Sequence, residues 1–184
     1  MAKMLWKPSE ESVRNSAMYR FMQLVNSRFN QRCTDYESLH AWSVDHIPDV
    51  WATLWEFVDV IHSAPYDAVV EGLNRMPGAR WFPGARLNFA ENLLRYRDER
   101  TALVFNPEGR PSTRITYAEL FDEVARMAHS LRALGIKAGD RVVGFLPNMP
   151  QAAIAMLAAA SVGAIWSSCS PDFGIKGVLD RFGQ

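Results

Sequence analysis

The side chains best placed to contact a ligand lie in two short loops, residues 146–148 (Leu-Pro-Asn) and residues 169–172 (Cys-Ser-Pro-Asp). Each loop follows a short apolar segment, residues 141–146 and 164–168, with the length and composition of a buried strand. Pro147 cannot continue a central strand because it has no N–H group to donate. No histidine lies near Cys169 in sequence, so we do not expect this thiol to be a catalytic nucleophile.

The segment between the two loops predicts a helix. Asn148 and Gln151 have the spacing of a capping box, and Pro150 falls in the first turn, where its missing N–H has no cost. Gly163 supplies the left-handed residue that ends such a helix near residue 162. Strand, helix and strand form a βαβ unit, so the strands should be parallel and the fold α/β.

Parallel strands bring both loops to the same edge of a sheet. In open sheets of this kind, ligands bind beyond the carboxyl ends of the strands, so if the chain binds a nucleotide or similar ligand, this edge is where we expect it. The loops could equally be turns of an α/β core without a ligand, because a fold does not determine a function.

The first half of the sequence predicts helices. Ser9 caps a helix that opens at Pro8, and residues 34–37 (Thr-Asp-Tyr-Glu) form a capping box for a helix that ends near Ser43. Pro48 starts a third helix. Apolar residues recur at helical spacing in the first helix (Met18, Phe21, Met22, Val25 and Phe29) and the third (Val50, Trp51, Leu54, Trp55, Val58 and Ile61).

Aromatic residues in this half have two interpretations. Trp42, Trp51 and Trp55 could stack on nucleic acid bases, but no Lys or Arg lies between them, which favours the aromatic core of a helical cap. Trp81 and Phe82 lie in a Pro- and Gly-rich loop, residues 75–86, that could hold a phosphate or a partner. We favour a strap that lies across the sheet domain and is anchored by these two rings.

The second half predicts a hairpin and further helices. Asn88 should cap a short helix over residues 89–96, and strands at 101–105 and 112–116 flank a turn. Thr116 and Glu119 form a capping box for a helix that ends at Gly135, and residues 173–182 are helical. One face of the helix that follows the hairpin is apolar (Leu120, Val124, Met127, Ala128 and Leu131).

Composition excludes several classes of function. The 20 basic residues balance the 20 acidic ones, which argues against nucleic acid or an anionic membrane as the main partner. The two cysteines are typical of reduced thiols in a cytoplasmic protein, and the start of the chain lacks an apolar signal segment. The longest apolar run, residues 152–166, is shorter than the about 20 residues of a membrane span. His40, His46 and His62 lack metal-ligand spacing, so no metal site is expected.

Two parallel strands do not make a covered sheet, because their helices need further strands to pack on. We therefore expect this sequence to be the front part of a longer protein.

Several segments together resemble the adenylate-forming enzymes that ligate carboxylic acids to coenzyme A. These are ITYAEL, GIKAGDRVVGFLPN and ASVGAIWSSCSPDFG, in this order. WFPGARLNFAENLL resembles the linker of the acetyl-CoA synthetase-like branch. IWSSCSPDFGIKGVLDRFGQ and LHAWSVDHIPDVWATLWEF look closest to the members of that branch that activate acetoacetate.

The resemblance implies a domain organisation and a reaction. It implies an N-terminal helical cap and linker at 1–97 and the truncated start of an AMP-binding domain at 98–184. The substrates would be acetoacetate, ATP and coenzyme A, with Mg²⁺ on the phosphates. The family's Gly-rich phosphate loop, ribose-binding Asp, metal-binding Glu and catalytic Lys belong to later sequence, so no catalytic residue and no metal ligand is expected here, and the chain alone should be inactive.

The resemblance also implies one binding site. Ser170, Pro171 and Asp172 align with the segment that lies against the adenine end of coenzyme A. Acetyl-CoA synthetases usually have Gly-Gly in place of Pro171-Asp172 and His in place of Trp166, and both differences favour the acetoacetate branch. An acetate or propionate ligase, or a non-catalytic interaction module, stays an alternative. A nicotinamide- or flavin-binding domain is disfavoured because Gly144 and its neighbours do not form a G-x-G-x-x-G turn.

Overall fold

The computed structural model describes residues 5–183. The chain divides into two compact units, of which the first ends at Arg86 and the second begins at Leu87. Helices and three two-stranded sheets make up the architecture, which confirms the predicted α/β class. In chain order the elements are α1 (Glu10–Arg14), α2 (Ala17–Phe29), α3 (Tyr36–Asp45), α4 (Ile47–Phe57), β1 (Val70–Glu71), β2 (Arg80–Trp81), α5 (Phe89–Leu93), β3 (Thr101–Phe105), β4 (Thr113–Thr116), α6 (Tyr117–Ala133), β5 (Arg141–Phe145), α7 (Pro150–Ser161), β6 (Ile165–Cys169) and α8 (Ile175–Phe182).

The first predicted helix is interrupted. Ser9 caps α1 as predicted, but the chain leaves the helix at Asn15 and a second cap, Ser16, starts α2. The Ser16 hydroxyl accepts the Tyr19 N–H at 3.1 Å and donates to the Val13 carbonyl at 2.7 Å. These local hydrogen bonds replace the helical ones, which is why a serine inside a helical pattern can divide it.

The cap of α3 also differs from the prediction. Asp35, not Thr34, is the N-cap, and Ser38 replaces Glu37 as its capping-box partner because the helix begins one residue later. The Asp35 carboxylate accepts the Ser38 N–H at 2.8 Å and the Ser38 hydroxyl at 2.6 Å. The hydroxyl hydrogen bond, followed by the backbone one, lowers the pKa of Asp35 because both favour the charged carboxylate.

The core of the first unit lies between α2, α3 and α4. Val25 is fully buried, and half-buried residues of α4 pack against the cluster, as predicted for Val50 and Leu54. The helix stops at Phe57, so the expected stripe position Ile61 lies beyond it. The buried members of the cluster are Phe21, Met22, Val25, Cys33, Leu39 and Trp42.

An adjacent face of α4 carries an aromatic cluster. The Trp55 ring centroid lies 4.6 Å from that of Phe82 and 5.3 Å from that of Tyr66, while Trp51 lies 5.4 Å from Trp81. Of the three tryptophans predicted to form an aromatic core, Trp42 is buried and Trp55 half-buried, whereas Trp51 is 42% exposed. The predicted anchoring of the loop on the sheet domain is wrong, because Trp81 and Phe82 anchor it on α4.

In the second unit, the hairpin and the helix that follows it form as predicted. β3 and β4 pair antiparallel, with β4 starting one residue later than expected. Thr116 caps α6, and its N–H donates to the Glu119 carboxylate at 2.8 Å, which completes the predicted capping box. Gly135 follows α6 with φ +84°, a conformation that glycine adopts without strain.

The βαβ unit is confirmed, but one of its caps is not. β5 and β6 are parallel, α7 connects them, and Gly163 has φ +79°. Asn148 does not cap α7. Met149 is the N-cap, without a side-chain hydrogen bond, because Pro150 occupies the first helical position. Asn148 therefore lies one residue too early, and Gln151 is not its capping-box partner.

Helices α6 and α7 cover one face of this unit. Leu120, Val124 and Leu131 of α6 are buried together with Leu157 and Ala158 of α7. The outer face of the strand pair stays exposed. Val143, Phe145 and Ile165 are 49%, 53% and 57% exposed, and within residues 5–183 β5 pairs only with β6. This partly covered sheet agrees with the expectation that two parallel strands alone do not make a covered sheet.

Candidate functional site

The carboxyl ends of β5 and β6 meet at one edge, which we call the loop edge. Phe145 pairs with Cys169, and the Leu146 N–H donates to the Cys169 carbonyl at 3.3 Å, so the pairing continues to the last residue of β6. The loops that start at Leu146 and Ser170 therefore leave the sheet side by side, as predicted from the sequence.

The three predicted site residues form one tight turn. The Ser170 hydroxyl donates to the Asp172 carboxylate at 2.7 Å and accepts the Asp172 N–H at 3.4 Å. The Phe173 N–H closes the turn by donating to the Ser170 carbonyl at 3.2 Å. Pro171 and Asp172 are exposed and Ser170 is half-buried, so the turn presents a proline ring and a carboxylate outward.

A ring and a guanidinium group adjoin this turn, and sequence reasoning missed them. The Arg181 guanidinium lies 4.2 Å from the centre of the Phe173 ring, which is 38% exposed. Gly177 leaves room for the ring, because a Cβ there would lie 3.1 Å from Phe173 Cδ1. A flat ring with an adjacent cation can stack on a base and attract a phosphate.

Trp166 occupies the core face of the strand pair next to the loop edge. A Cβ atom at Gly144 would lie 2.6 Å from Trp166 Cη2 and 2.4 Å from Leu146 Cδ2. Residue 144 must therefore be glycine, because the indole of Trp166 occupies the space that a side chain at this position would need. Glycine inside a strand pattern is the sequence signal for such a close approach.

The described residues contain neither a metal centre nor an activated thiol. Within residues 5–183, no three His, Cys, Asp or Glu side chains are grouped so as to hold a metal ion. Cys169 is only 7% exposed, as is typical of a structural thiol.

Within residues 5–183, every helix is too short or too polar to cross a bilayer.

Two protein-family models match this chain. The model of the AMP-binding enzyme family matches residues 89–181, which include the whole βαβ unit and the turn at Ser170. The chain belongs to the AMP-binding enzyme family. A second model, the acetyl-coenzyme A synthetase N-terminus, matches residues 36–93. The predicted resemblance to adenylate-forming enzymes of the acetyl-CoA synthetase-like branch is thereby confirmed.

Individual members of the AMP-binding enzyme family match nearly the whole chain. The acetoacetyl-coenzyme A synthetase of Rhizobium meliloti (strain 1021) is 51% identical over 98% of this chain and 28% of its own length. The acetoacetyl-CoA synthetase of Danio rerio is 47% identical over 100% of this chain and 27% of its own length.

A solved structure agrees with these sequence matches. The acetoacetyl-CoA synthetase from Streptomyces lividans superposes with a TM-score of 0.89 and 43% identity over 99% of this chain and 29% of that chain. The chain thus spans less than a third of the length of the relatives that it matches.

Proposed function

We propose that this chain is the N-terminal portion of an ATP-dependent acid–CoA ligase whose acid is acetoacetate. The complete enzyme would convert acetoacetate, ATP and coenzyme A to acetoacetyl-CoA, AMP and diphosphate. The acid would first be joined to AMP, which makes a good leaving group, and the thiol of coenzyme A would then displace AMP. Two easier steps replace one difficult step.

One observation carries this proposal: the similarity to acetoacetyl-CoA synthetases extends over nearly the whole chain at 45–51% identity. It includes the helical first unit, most of which the acetyl-coenzyme A synthetase N-terminus model also matches. The fold supports the same conclusion, since a solved acetoacetyl-CoA synthetase superposes on 99% of the chain.

The residues of this chain do not fit ATP with Mg²⁺. Residues 5–183 hold no group of carboxylates that could bind the metal, and the sequence has no glycine-rich phosphate loop. We therefore assign no catalytic residue to this chain and propose that the phosphate and metal sites belong to the rest of the enzyme.

The turn at Ser170, Pro171 and Asp172 fits the adenine end of coenzyme A. Its exposed proline and the adjacent Phe173 ring offer apolar surface to a base, and Arg181 offers a positive charge to a phosphate. When bound, coenzyme A supplies the thiol that accepts the acyl group. The role proposed for this chain is to hold the other end of that molecule.

We also propose the domain organisation expected from the sequence. Residues 1–97 would form the helical cap and linker, and residues 98–184 the start of the AMP-binding domain. The match of the acetyl-CoA synthetase N-terminus model to residues 36–93 supports the first assignment.

ATP–diphosphate exchange tests the reaction. The complete protein that contains this chain should exchange labelled diphosphate into ATP when acetoacetate is present, and the 184-residue chain alone should not. Exchange that depends on acetate but not on acetoacetate would refute the proposed acid. Absence of exchange with both acids would refute the ligase.

A further inference from the structure

We propose that Trp166 is a positioning residue for the turn at Ser170–Asp172, acting through its contact with Gly144 and Leu146. This inference rests on the proposed function, because the effect is measured on coenzyme A. The proposal concerns a side chain on the core face of the sheet that would act through its neighbours in β5.

The first step is the position of the indole. Trp166 pairs with Val142 in the parallel register, and Gly144 is the next residue of β5 on the same face. A Cβ at Gly144 would lie 2.6 Å and 2.8 Å from Cη2 and Cζ2 of Trp166, the atoms at the far end of the indole. The indole therefore lies along β5 toward the loop edge, over the backbone of Gly144.

The second step is the connection to the loop edge. The same imaginary Cβ would lie 2.4 Å from Leu146 Cδ2, so Leu146 and the indole converge over Gly144. Leu146 is the last residue before Pro147, and its N–H donates to the Cys169 carbonyl, one residue before Ser170. A shift of the indole is thus transmitted to the end of β5 and, through this hydrogen bond, to the start of the turn.

The third step is the state of the turn itself. Its hydrogen bonds join Ser170 to Asp172 and to Phe173, all within the turn. Those bonds fix the shape of the turn but not its place on the molecule. Its place depends on where β6 ends. The parallel pairing sets that end relative to β5, and the packing of Trp166 over Gly144 adds a side-chain contact at the same edge.

Substitutions in the complete enzyme test the proposal. Trp166→Phe removes the indole atoms that lie over Gly144 and should weaken the packing at the loop edge. Gly144→Ala adds a methyl group that should push Leu146 and the indole apart. Each is expected to raise KM for coenzyme A about tenfold, because sub-ångström misplacement of a binding group is costly. Acetoacetate-dependent ATP–diphosphate exchange should stay unchanged, since it does not require coenzyme A.

The double variant Gly144→Ala/Trp166→Phe distinguishes a specific steric contact from general destabilisation, which would not restore KM for coenzyme A. The phenyl ring lacks the two indole atoms that would lie 2.6 Å and 2.8 Å from the added methyl group, while the contact with Leu146 Cδ2 remains, so KM for coenzyme A should recover part of the way toward the wild-type value. Ile165→Val is the matched control. Ile165 neighbours Trp166 in β6 but lies on the outer face of the strand pair, away from Gly144, and KM should not change.

Each outcome decides one question. Unchanged KM for coenzyme A in both single variants, or a parallel loss of exchange activity, would overturn the positioning role. Failure of the double variant to recover would do the same. If Gly144→Ala does not yield folded protein, Trp166→Phe alone decides between unchanged and raised KM. Absence of exchange in the wild-type enzyme would instead refute the proposed ligase and would be seen before any variant is compared.

Discussion

The side chain of Asn88 forms hydrogen bonds with two helices of the second unit, α5 and α7. Substitutions of Asn88 can measure how much each of these interactions contributes to stability. Its carboxamide oxygen accepts the Glu91 N–H at 3.1 Å, which caps α5. Its carboxamide nitrogen donates to the carbonyls of Ala160 and Ser161 at 3.2 and 3.3 Å, at the end of α7. One side chain therefore satisfies an N–H group at the start of one helix and binds carbonyls at the end of another, of which that of Ala160 also accepts the Gly163 N–H.

The two interactions can be removed separately. Asn88→Ser keeps an oxygen for the cap but is too short to reach α7, and should cost about 1 kcal/mol for the long, half-buried hydrogen bonds. Asn88→Ala removes the cap as well, which adds about 1 kcal/mol, for a total near 2 kcal/mol. Asn88→Asp keeps the cap but places a carboxylate against the negative end of α7, which adds about 0.5 kcal/mol to the cost of the serine variant.

Urea unfolding monitored by circular dichroism measures these differences. Asn148→Ser is the matched control: it is the same substitution in the same unit, at an exposed asparagine that does not cap α7, and should change stability by less than about 0.5 kcal/mol. If Asn88→Ser is as stable as the wild type while Asn88→Ala is not, the contact with α7 contributes nothing and only the cap matters. Equal losses for the serine and alanine variants would refute the contribution of the cap.

Three further predictions concern the first unit. Val25→Ala should lower the free energy of unfolding by about 2 kcal/mol because the side chain is fully buried, whereas Val13→Ala, on an exposed side chain, should lower it by less than about 0.5 kcal/mol in the same urea titration. Phe82 has φ +46°, a conformation that strains residues other than glycine. Phe82→Gly should therefore be at least as stable in thermal unfolding as Phe82→Ala, although alanine is usually the more stabilising of the two residues. A clearly less stable glycine variant would contradict backbone strain at this position. Hydrogen bonds from Ser38 lower the pKa of Asp35, so the cap stabilises the fold above the ordinary aspartate pKa near 3.9 and is lost as the pH falls through the lower pKa of the folded state. Asp35→Asn keeps a capping oxygen that does not titrate, and should show less loss of stability than the wild type on acidification below about pH 4; identical acid profiles would contradict the assignment.

Local signals in the sequence predicted the elements whose formation depends on neighbours along the chain. The caps at Ser9 and Thr116 and the left-handed glycines Gly135 and Gly163 were all found as expected. Errors of one residue arose where two adjacent residues could both act as a cap. At α3, Asp35 prevailed over Thr34 because its carboxylate accepts two hydrogen bonds from Ser38.

Contacts between residues distant in sequence could not be predicted in this way. Trp81 and Phe82 were recognised as anchors, but their partners on α4 follow from tertiary packing that no periodicity reveals. The second function of Asn88, at the end of α7, is of the same kind. The contact between Gly144 and Trp166 becomes visible only when the parallel register is known.

The position of the candidate site follows from how the sheet is filled. On the core face of β5 and β6, the indole of Trp166 lies over Gly144, and α6 and α7 pack against the same face. Beyond the strand ends, the chain leaves the sheet at Pro147 and Ser170, and the exposed Pro171 and Asp172 follow Ser170. A ligand at the loop edge would therefore be held by a turn whose shape is fixed by its own hydrogen bonds but whose position depends on the packing beneath it. In the complete enzyme, substitutions beneath the turn are therefore expected to alter binding of coenzyme A and not formation of the adenylate.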